Sequence, residues 1–189
     1  MYVILFVKCQ AGRRRMQMVK IQIIINGSGG VGKDTLVDMI IVDLISVGIT
    51  ATKLSSVENI KSAMTMMGWD GIKDEKTRKL MSDLKDISTE LWDGPMKAMK
   101  LFIKNTQSDV VFLMIREPHE IERFVREIPG TVTILVTSSR DGVEQYDNHA
   151  DRDVSFYPYD EIVSNDSDEK SLEKSAKGIA GDIAIMLKG

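Results

Sequence analysis

The chain has 189 residues, of which 43% are hydrophobic and 28% charged, and its formal net charge is -3. That composition fits one globular domain with a sizeable core and room for a small inserted lobe, and it lacks the basic surplus of a nucleic-acid binder. One cysteine, Cys9, rules out an intrachain disulfide and fits a reducing, cytoplasmic setting.

Residues 2–7 are apolar and are followed by Lys8, Cys9 and the basic run Arg13-Arg14-Arg15. A bilayer span takes about 20 apolar residues, and a signal peptide carries its charge ahead of a longer apolar stretch. No membrane partner is expected, and residues 1–18 read as a loosely attached extension, with Met16 or Met18 as alternative starts. Residues 19–26 (VKIQIIIN) form a β-branched apolar run suited to a strand buried on both faces. The glycine-rich stretch 27–32 ends it. Leu36, Val37, Ile40, Ile41, Leu44 and Ile45 then recur at helical spacing up to a stop at Gly48.

Residues 49–54 read as a second strand. Between 55 and 107 there is no convincing strand; three helical patterns occupy 56–67, 74–92 and 95–105, the last with Pro95 in its first turn. This region is expected to be a helical insertion beside the sheet. A buried-type strand follows at 109–115, a helix at 118–128 and another strand at 131–137. Residues 137–159 are polar and aperiodic, as in a mobile loop; a last strand is expected at 159–164 and a closing helix at 167–187. Such alternation implies an α/β fold with a parallel sheet and right-handed crossovers.

The strongest chemical signal is Gly27-Ser28-Gly29-Gly30-Val31-Gly32-Lys33-Asp34-Thr35, which matches GxxxxGK between a buried strand and an amphipathic helix. The glycines let the backbone curl into a nest of inward N–H groups, and the helix N-terminus adds partial positive charge. Lys33 is placed to follow charge on the terminal phosphates of a nucleoside triphosphate, expected to be ATP. Asp34 stands where most such loops carry Ser or Thr. A carboxylate beside a triphosphate repels it unless a cation lies between them, which points to Asp34 as a Mg2+ site. The other reading of Asp34 is an acidic residue favoured by the helix dipole. Thr35 would then serve the α-phosphate.

The GKDT ending resembles the loop of phage-type deoxynucleoside monophosphate kinases, a branch of the P-loop nucleoside monophosphate kinase family. Ser55-Ser56-Val57 with Lys61, the run Asp74-Glu75-Lys76-Thr77-Arg78, the segment 112–117 (FLMIRE) with Pro118-His119-Glu120, and the segment 159–165 are similar to further parts of that family. The likeness covers about residues 19–187 and is specific only at the loop. It implies a three-layer P-loop domain with a helical acceptor lobe at about 55–107 and a lid at about 137–158. It also implies transfer of the γ-phosphate of ATP to a nucleoside monophosphate. The family's Asp before the strand-end arginine aligns with Met114 here, which leaves Asp34 or Glu117 to supply the missing negative charge.

Transfer between two anionic nucleotides calls for positive charge at the acceptor phosphate, and an arginine fork grips phosphate in two directions. Arg116, just past a buried strand, is expected at the carboxyl edge of the sheet, where ligands of open α/β sheets bind. Its alternative is a surface ion pair with Glu117 or Glu120. Lys61 and Arg78 are candidate acceptor contacts on the lobe. Arg140 and Arg152 are candidate lid arginines. Asn165 is a candidate adenine contact through its amide, or an ordinary turn residue. His149 among Asp147, Asn148 and Asp151 has too few evident ligands for a metal site, and His119 reads as a helix-start residue. The methionines clustered at Met64, Met66, Met67, Met81, Met96 and Met99, with Trp69 and Trp92, are expected to fill the lobe's core. The expected partner is a small-molecule nucleotide acceptor, with no nucleic acid; a homodimer is an open alternative to a monomer. Two other readings stay open: a related small-molecule kinase of the dephospho-coenzyme A or phosphomevalonate type, and a nucleotide-binding regulatory module.

Overall fold

A computed structural model describes residues 20–139 and 154–188. The expectations for residues 1–18, including Met16 and Met18, and for Arg140, His149 and Arg152 lie outside these residues. Five strands, β1 (Ile21–Asn26), β2 (Ala51–Ser55), β3 (Val110–Met114), β4 (Val132–Thr137) and β5 (Glu161–Ser164), form one parallel sheet in the order β2-β3-β1-β4-β5. Among the described residues six helices connect and cover them: α1 (Lys33–Ser46), α2 (Glu58–Met66), α3 (Glu75–Trp92), α4 (Gly94–Asn105), α5 (Pro118–Glu127) and α6 (Glu169–Lys188). The fold is α/β with helices on both faces of a parallel sheet. Among the described residues no helix is long and apolar enough to cross a membrane.

The period of two in the strands explains the layers. Ile21, Ile23 and Ile25 of β1, with Val110 and Phe112 of β3 and Ile134 and Val136 of β4, meet α1 through Leu36, Ile40 and Leu44 and α6 through Leu172, Ala176, Ile179 and Ile183. The alternate residues Ile24, Val111, Leu113 and Ile115 point the other way, onto Met96 and Met99 of α4 and Ile121 and Phe124 of α5. Both faces of the central strands are therefore apolar, which is why these strands read as unbroken hydrophobic runs. Each fully buried aliphatic side chain contributes about 1.5–3 kcal/mol relative to exposure.

The helical insertion falls where expected, as α2 to α4 between β2 and β3. Asp74 starts α3, its Oδ1 accepting a 2.8 Å hydrogen bond from the Thr77 amide. Met64, Met96 and Met99 are buried as core fillers, whereas Met66, Met67 and Trp92 are exposed, so Trp92 does not pack the lobe as expected. The second strand starts at Ala51 because Gly48, at φ 82°, turns the chain and the Ile49 amide bonds back to Leu44. The last strand starts at Glu161 because the Asp160 carboxylate receives the amide and hydroxyl of Thr133, while Tyr159 turns into the second core. At the end of the expected lid, Val154 is buried in a short 3-10 turn (Val154–Phe156) and Tyr157 packs on the same core.

Chain order sets where the site must lie. From β1 the chain passes to β2 at the edge, returns to β3 beside β1, then crosses to β4 on β1's other side. The carboxyl end of β1 is thus the point where the winding reverses, and the crevice outside it is the natural ligand position.

Candidate active site

The loop Gly27 to Gly32 leaves β1 at that crevice and enters α1. Gly27 has φ 149°, and a Cβ there would lie 2.5 Å from the Val136 carbonyl oxygen. Gly32, at φ 90°, would drive a Cβ into the Asn165 amide. Both positions therefore require glycine. The N-cap of α1 is Gly32, which has no side chain to cap the helix, so the N-terminus of α1 faces the loop. Lys33 is buried to 8% exposure, and its Nζ donates to the Ser28 carbonyl at 3.2 Å, curling across the loop.

Two asparagines hold this loop. Asn26 is fully buried at the end of β1. Its Oδ1 accepts from the Gly27 amide at 2.7 Å, and its Nδ2 donates to the Arg116 carbonyl at 2.8 Å and to the Tyr159 hydroxyl at 2.6 Å. Tyr159 in turn donates to the Val154 carbonyl at 2.8 Å, and burial pushes its phenol up to about 12, so it stays protonated. Asn165 grips the other end: its Nδ2 donates to the Val31 carbonyl at 2.9 Å, and its own amide donates to Thr137 at 2.8 Å. The side chain expected to reach the adenine is thus turned to the loop and is 4% exposed.

One cleft collects the candidate residues from four elements. Lys33 and Asp34 come from α1, Lys61 from α2, Arg78 from α3 and Arg116 from the end of β3. The sheet register places Met114 beside Ile25 of β1 and Ser55 of β2, so Arg116 and Glu117 emerge next to the loop. Lys73, just ahead of α3, also lines the cleft, and its carbonyl accepts from Arg78 Nε at 3.1 Å. Lys61 is paired to Glu58 one turn earlier at 3.0 Å. Gly27, Ser28, Gly29, Gly30, Val31 and Gly32 form the loop above the cleft, and Thr35 lies exposed in the first turn of α1.

A buried ionic cluster forms the far wall. Lys85 of α3 is 5% exposed, and its ammonium pairs with Glu117 and, at 2.8 Å, with Glu120. Glu117 Oε2 lies in that ion pair yet takes no aligned hydrogen bond. Burial is the largest single influence on the Glu117 carboxyl and raises it, but the Lys85 charge together with hydrogen bonding from Glu120 and Lys85 outweighs it, and the net shift is downward. Burial, then the Glu117 charge, push Glu120 up to about 7 against the opposing pull of Lys85. Glu117 and Glu120, the carboxylates that one reading pairs with Arg116, both meet Lys85 here. Lys85 and Asn26 were not singled out in the sequence, although each carries a signal. Lys85 falls on the Met81–Leu84–Lys85–Ser88 face of an amphipathic helix, and Asn26 is the polar residue that closes an isoleucine run.

Lys33, Lys61, Lys73, Arg78 and Arg116 line the cleft against the carboxylates Asp34 and Glu117. The balance favours an anionic ligand. Among the described residues there is no group of three or more His, Cys, Asp or Glu able to hold a metal by itself. With Glu117 engaged by Lys85, Asp34 is, among the described residues, the lining carboxylate left for a cation that takes its other ligands from phosphate and water. That donor set suits Mg2+, which keeps waters and binds through one or two carboxylates plus substrate phosphates.

No family model matches the chain, and no curated protein matches it. Among solved structures, it is similar to TT1252 from Thermus thermophilus at 18% identity and a TM-score of 0.48, covering 87% of this chain and 98% of that one. It is also similar to a shikimate kinase from Bacteroides thetaiotaomicron at 14% identity and a TM-score of 0.49, again covering 87% and 98%. At these values the likeness says nothing of what the present chain acts on.

Proposed function

We propose that the chain is a phosphotransferase that moves the γ-phosphate of ATP to a small phosphate-bearing acceptor, a nucleoside monophosphate. The observation that carries this reading is the shared cleft: Lys33 of the phosphate loop opens onto the same space as Lys61, Arg78 and Arg116. A protein that only binds or hydrolyses a triphosphate has no use for a second group of cations on an inserted lobe. In the transfer, an acceptor phosphate oxygen attacks the γ-phosphorus and the bond to the ADP oxygen breaks. Lys33 balances charge on the donor side, and Arg116 with Arg78 orients the acceptor phosphate. Positioning and electrostatics supply most of the catalysis. Asp34 would hold Mg2+, which screens the triphosphate when bound.

A second reading, a nucleotide-binding regulatory module, draws on Met114. It lines the cleft at the end of β3, where the resembled family carries a metal-binding Asp. The test is ADP release with ATP, Mg2+ and a panel of ribo- and deoxynucleoside monophosphates, dephospho-coenzyme A and phosphomevalonate. Turnover that depends on one nucleoside monophosphate and is lost in Lys33→Ala supports the proposal. Turnover with one of the other acceptors keeps the transferase and replaces the substrate. ATP binding with no acceptor-dependent turnover favours the regulatory module. Arg116→Ala should raise the acceptor KM; an unchanged acceptor response removes its assigned role.

A further inference from the structure

Lys85 stands apart from the other cations of the cleft. It is buried, and its ammonium is committed to two glutamates of a different element, one at the start of α5 and one a turn later. Taking three ionisable groups out of water is expensive, and apolar side chains of similar volume would fill such a space at least as well. Core stability alone therefore gives no reason for this arrangement.

The geometry offers another. Glu117 directly follows Arg116, and the Glu120 and Ile121 amides bond back to the Glu117 carbonyl, so gripping Glu117 fixes the turn that presents Arg116. On the other side, Lys85 lies seven residues after Arg78 on α3, two helical turns along the same face, and both line the cleft. One ammonium thus ties the helix bearing Arg78 to the strand end bearing Arg116. Asn26 secures the opposite flank of the same turn through the Arg116 carbonyl.

We infer that Lys85 is a positioning residue for the acceptor: through Glu117 and Glu120 it locks α3 to the end of β3, so that Arg78 and Arg116 meet the acceptor phosphate at a fixed separation. This rests on the proposed transfer reaction for its kinetic consequence but not for its structural one. A planar guanidinium grips phosphate in a defined orientation, and loss of fixed separation between two such groups weakens the grip even though both charges remain.

Lys85→Met alone leaves buried Glu120 and half-buried Glu117 unpaired and risks misfolding, so the test uses Lys85→Met/Glu117→Gln/Glu120→Gln beside it. The triple variant should fold and bind ATP within about twofold of wild type, while its acceptor KM rises about tenfold or more and kcat changes less. An unchanged acceptor KM, or an equal loss for ATP and acceptor, overturns the inference. Amide hydrogen exchange gives a readout that needs no activity. Residues 116–121 should exchange faster in the triple variant while residues 27–36 do not change, and unaltered protection at 116–121 overturns the coupling. If wild type turns over no acceptor, the proposed function falls and the exchange result alone decides whether Lys85 couples lobe to sheet.

Discussion

The two walls of the cleft are held by opposite chemistry. The phosphate-loop wall is fixed by uncharged clamps: Asn26 holds the Gly27 amide and the Arg116 carbonyl, and Asn165 holds the Val31 carbonyl. The lobe wall is fixed by ions, with Lys85 between Glu117 and Glu120, Arg123 forked onto Asp93 and Lys100 on Glu127. The difference follows from what each wall must do. A loop that receives a triphosphate is best built from neutral groups, because any fixed carboxylate in it would repel the ligand. The lobe wall lies farther from the triphosphate and joins three helices, where charge pairs set register. These pairs stitch α3, α4 and α5 together.

The largest expected effect isolates Lys33 from both kinds of support. Lys33→Ala should lower the rate of phosphoryl transfer about 100- to 1000-fold, the scale for losing one charge-stabilising donor. Thermal unfolding should move far less, since the Ser28 carbonyl contact that Lys33 makes across the loop, at 3.2 Å, is a single hydrogen bond. A large fall in Tm with retained turnover would show that the lysine is there for the loop's structure.

Breaking the neutral wall comes next. Asn26→Ala strands the Gly27 amide, the Arg116 carbonyl and a bond to the Tyr159 hydroxyl, and each buried polar group left unsatisfied costs about 1–3 kcal/mol. Denaturant unfolding should show a loss in that range, with weaker ATP binding because the loop is released at its root. Asn26→Asp should rescue little, because a carboxylate cannot donate to the Arg116 carbonyl. Full rescue by Asp would mean that the Gly27 contact alone matters.

The ionic wall carries a pH signature that the neutral wall lacks. Glu120 is raised from 4.5 to about 7, so its contribution to stability is fully present below about 4.5 and is lost as pH rises through about 7. Glu117 is lowered, so its contribution is present above the ordinary carboxylate range and is lost as pH falls. Between these limits the pair shares one ammonium and one proton. Relative to Glu120→Gln, wild type should lose stability from about pH 5 to about pH 7, on the order of 1 kcal/mol per pH unit. Denaturant curves for both proteins across that window check it, and parallel pH slopes would place the proton elsewhere.

Much of the neutral wall was legible in advance, and little of the ionic wall was. The nearly unbroken apolar runs at 19–26 and 109–115, and the glycines between strand and helix, state the loop and its place because local sequence dictates them. Arg116 at the sheet edge followed from the strand that precedes it. The Lys85 cluster joins positions 32 and 35 residues apart, so no local pattern announces it. Asn165 shows the same limit. Its turn position was visible, but its hold on Val31 spans 134 residues and depends on β4 and β5 lying beside β1.

The smallest effect is expected at Asp93, and it separates conformation from charge. Asp93 joins α3 to α4 with φ 56° and ψ 37°, a left-handed conformation that costs a non-glycine residue about 1–2 kcal/mol. Its carboxylate also receives both guanidinium nitrogens of Arg123 at 2.7 and 2.6 Å. Arg123 is raised mainly by that hydrogen bond, but the pair is partly exposed, and pairs of this kind contribute about 0–1 kcal/mol after solvent screening. Asp93→Gly removes the strain and the fork together, so the two changes offset and Tm should stay near wild type. Asp93→Ala removes the fork and keeps the strain, and it should be the less stable of the two. If Gly proves as damaging as Ala, the fork outweighs the backbone, and the ionic wall is stronger at its rim than exposed ion pairs ordinarily are.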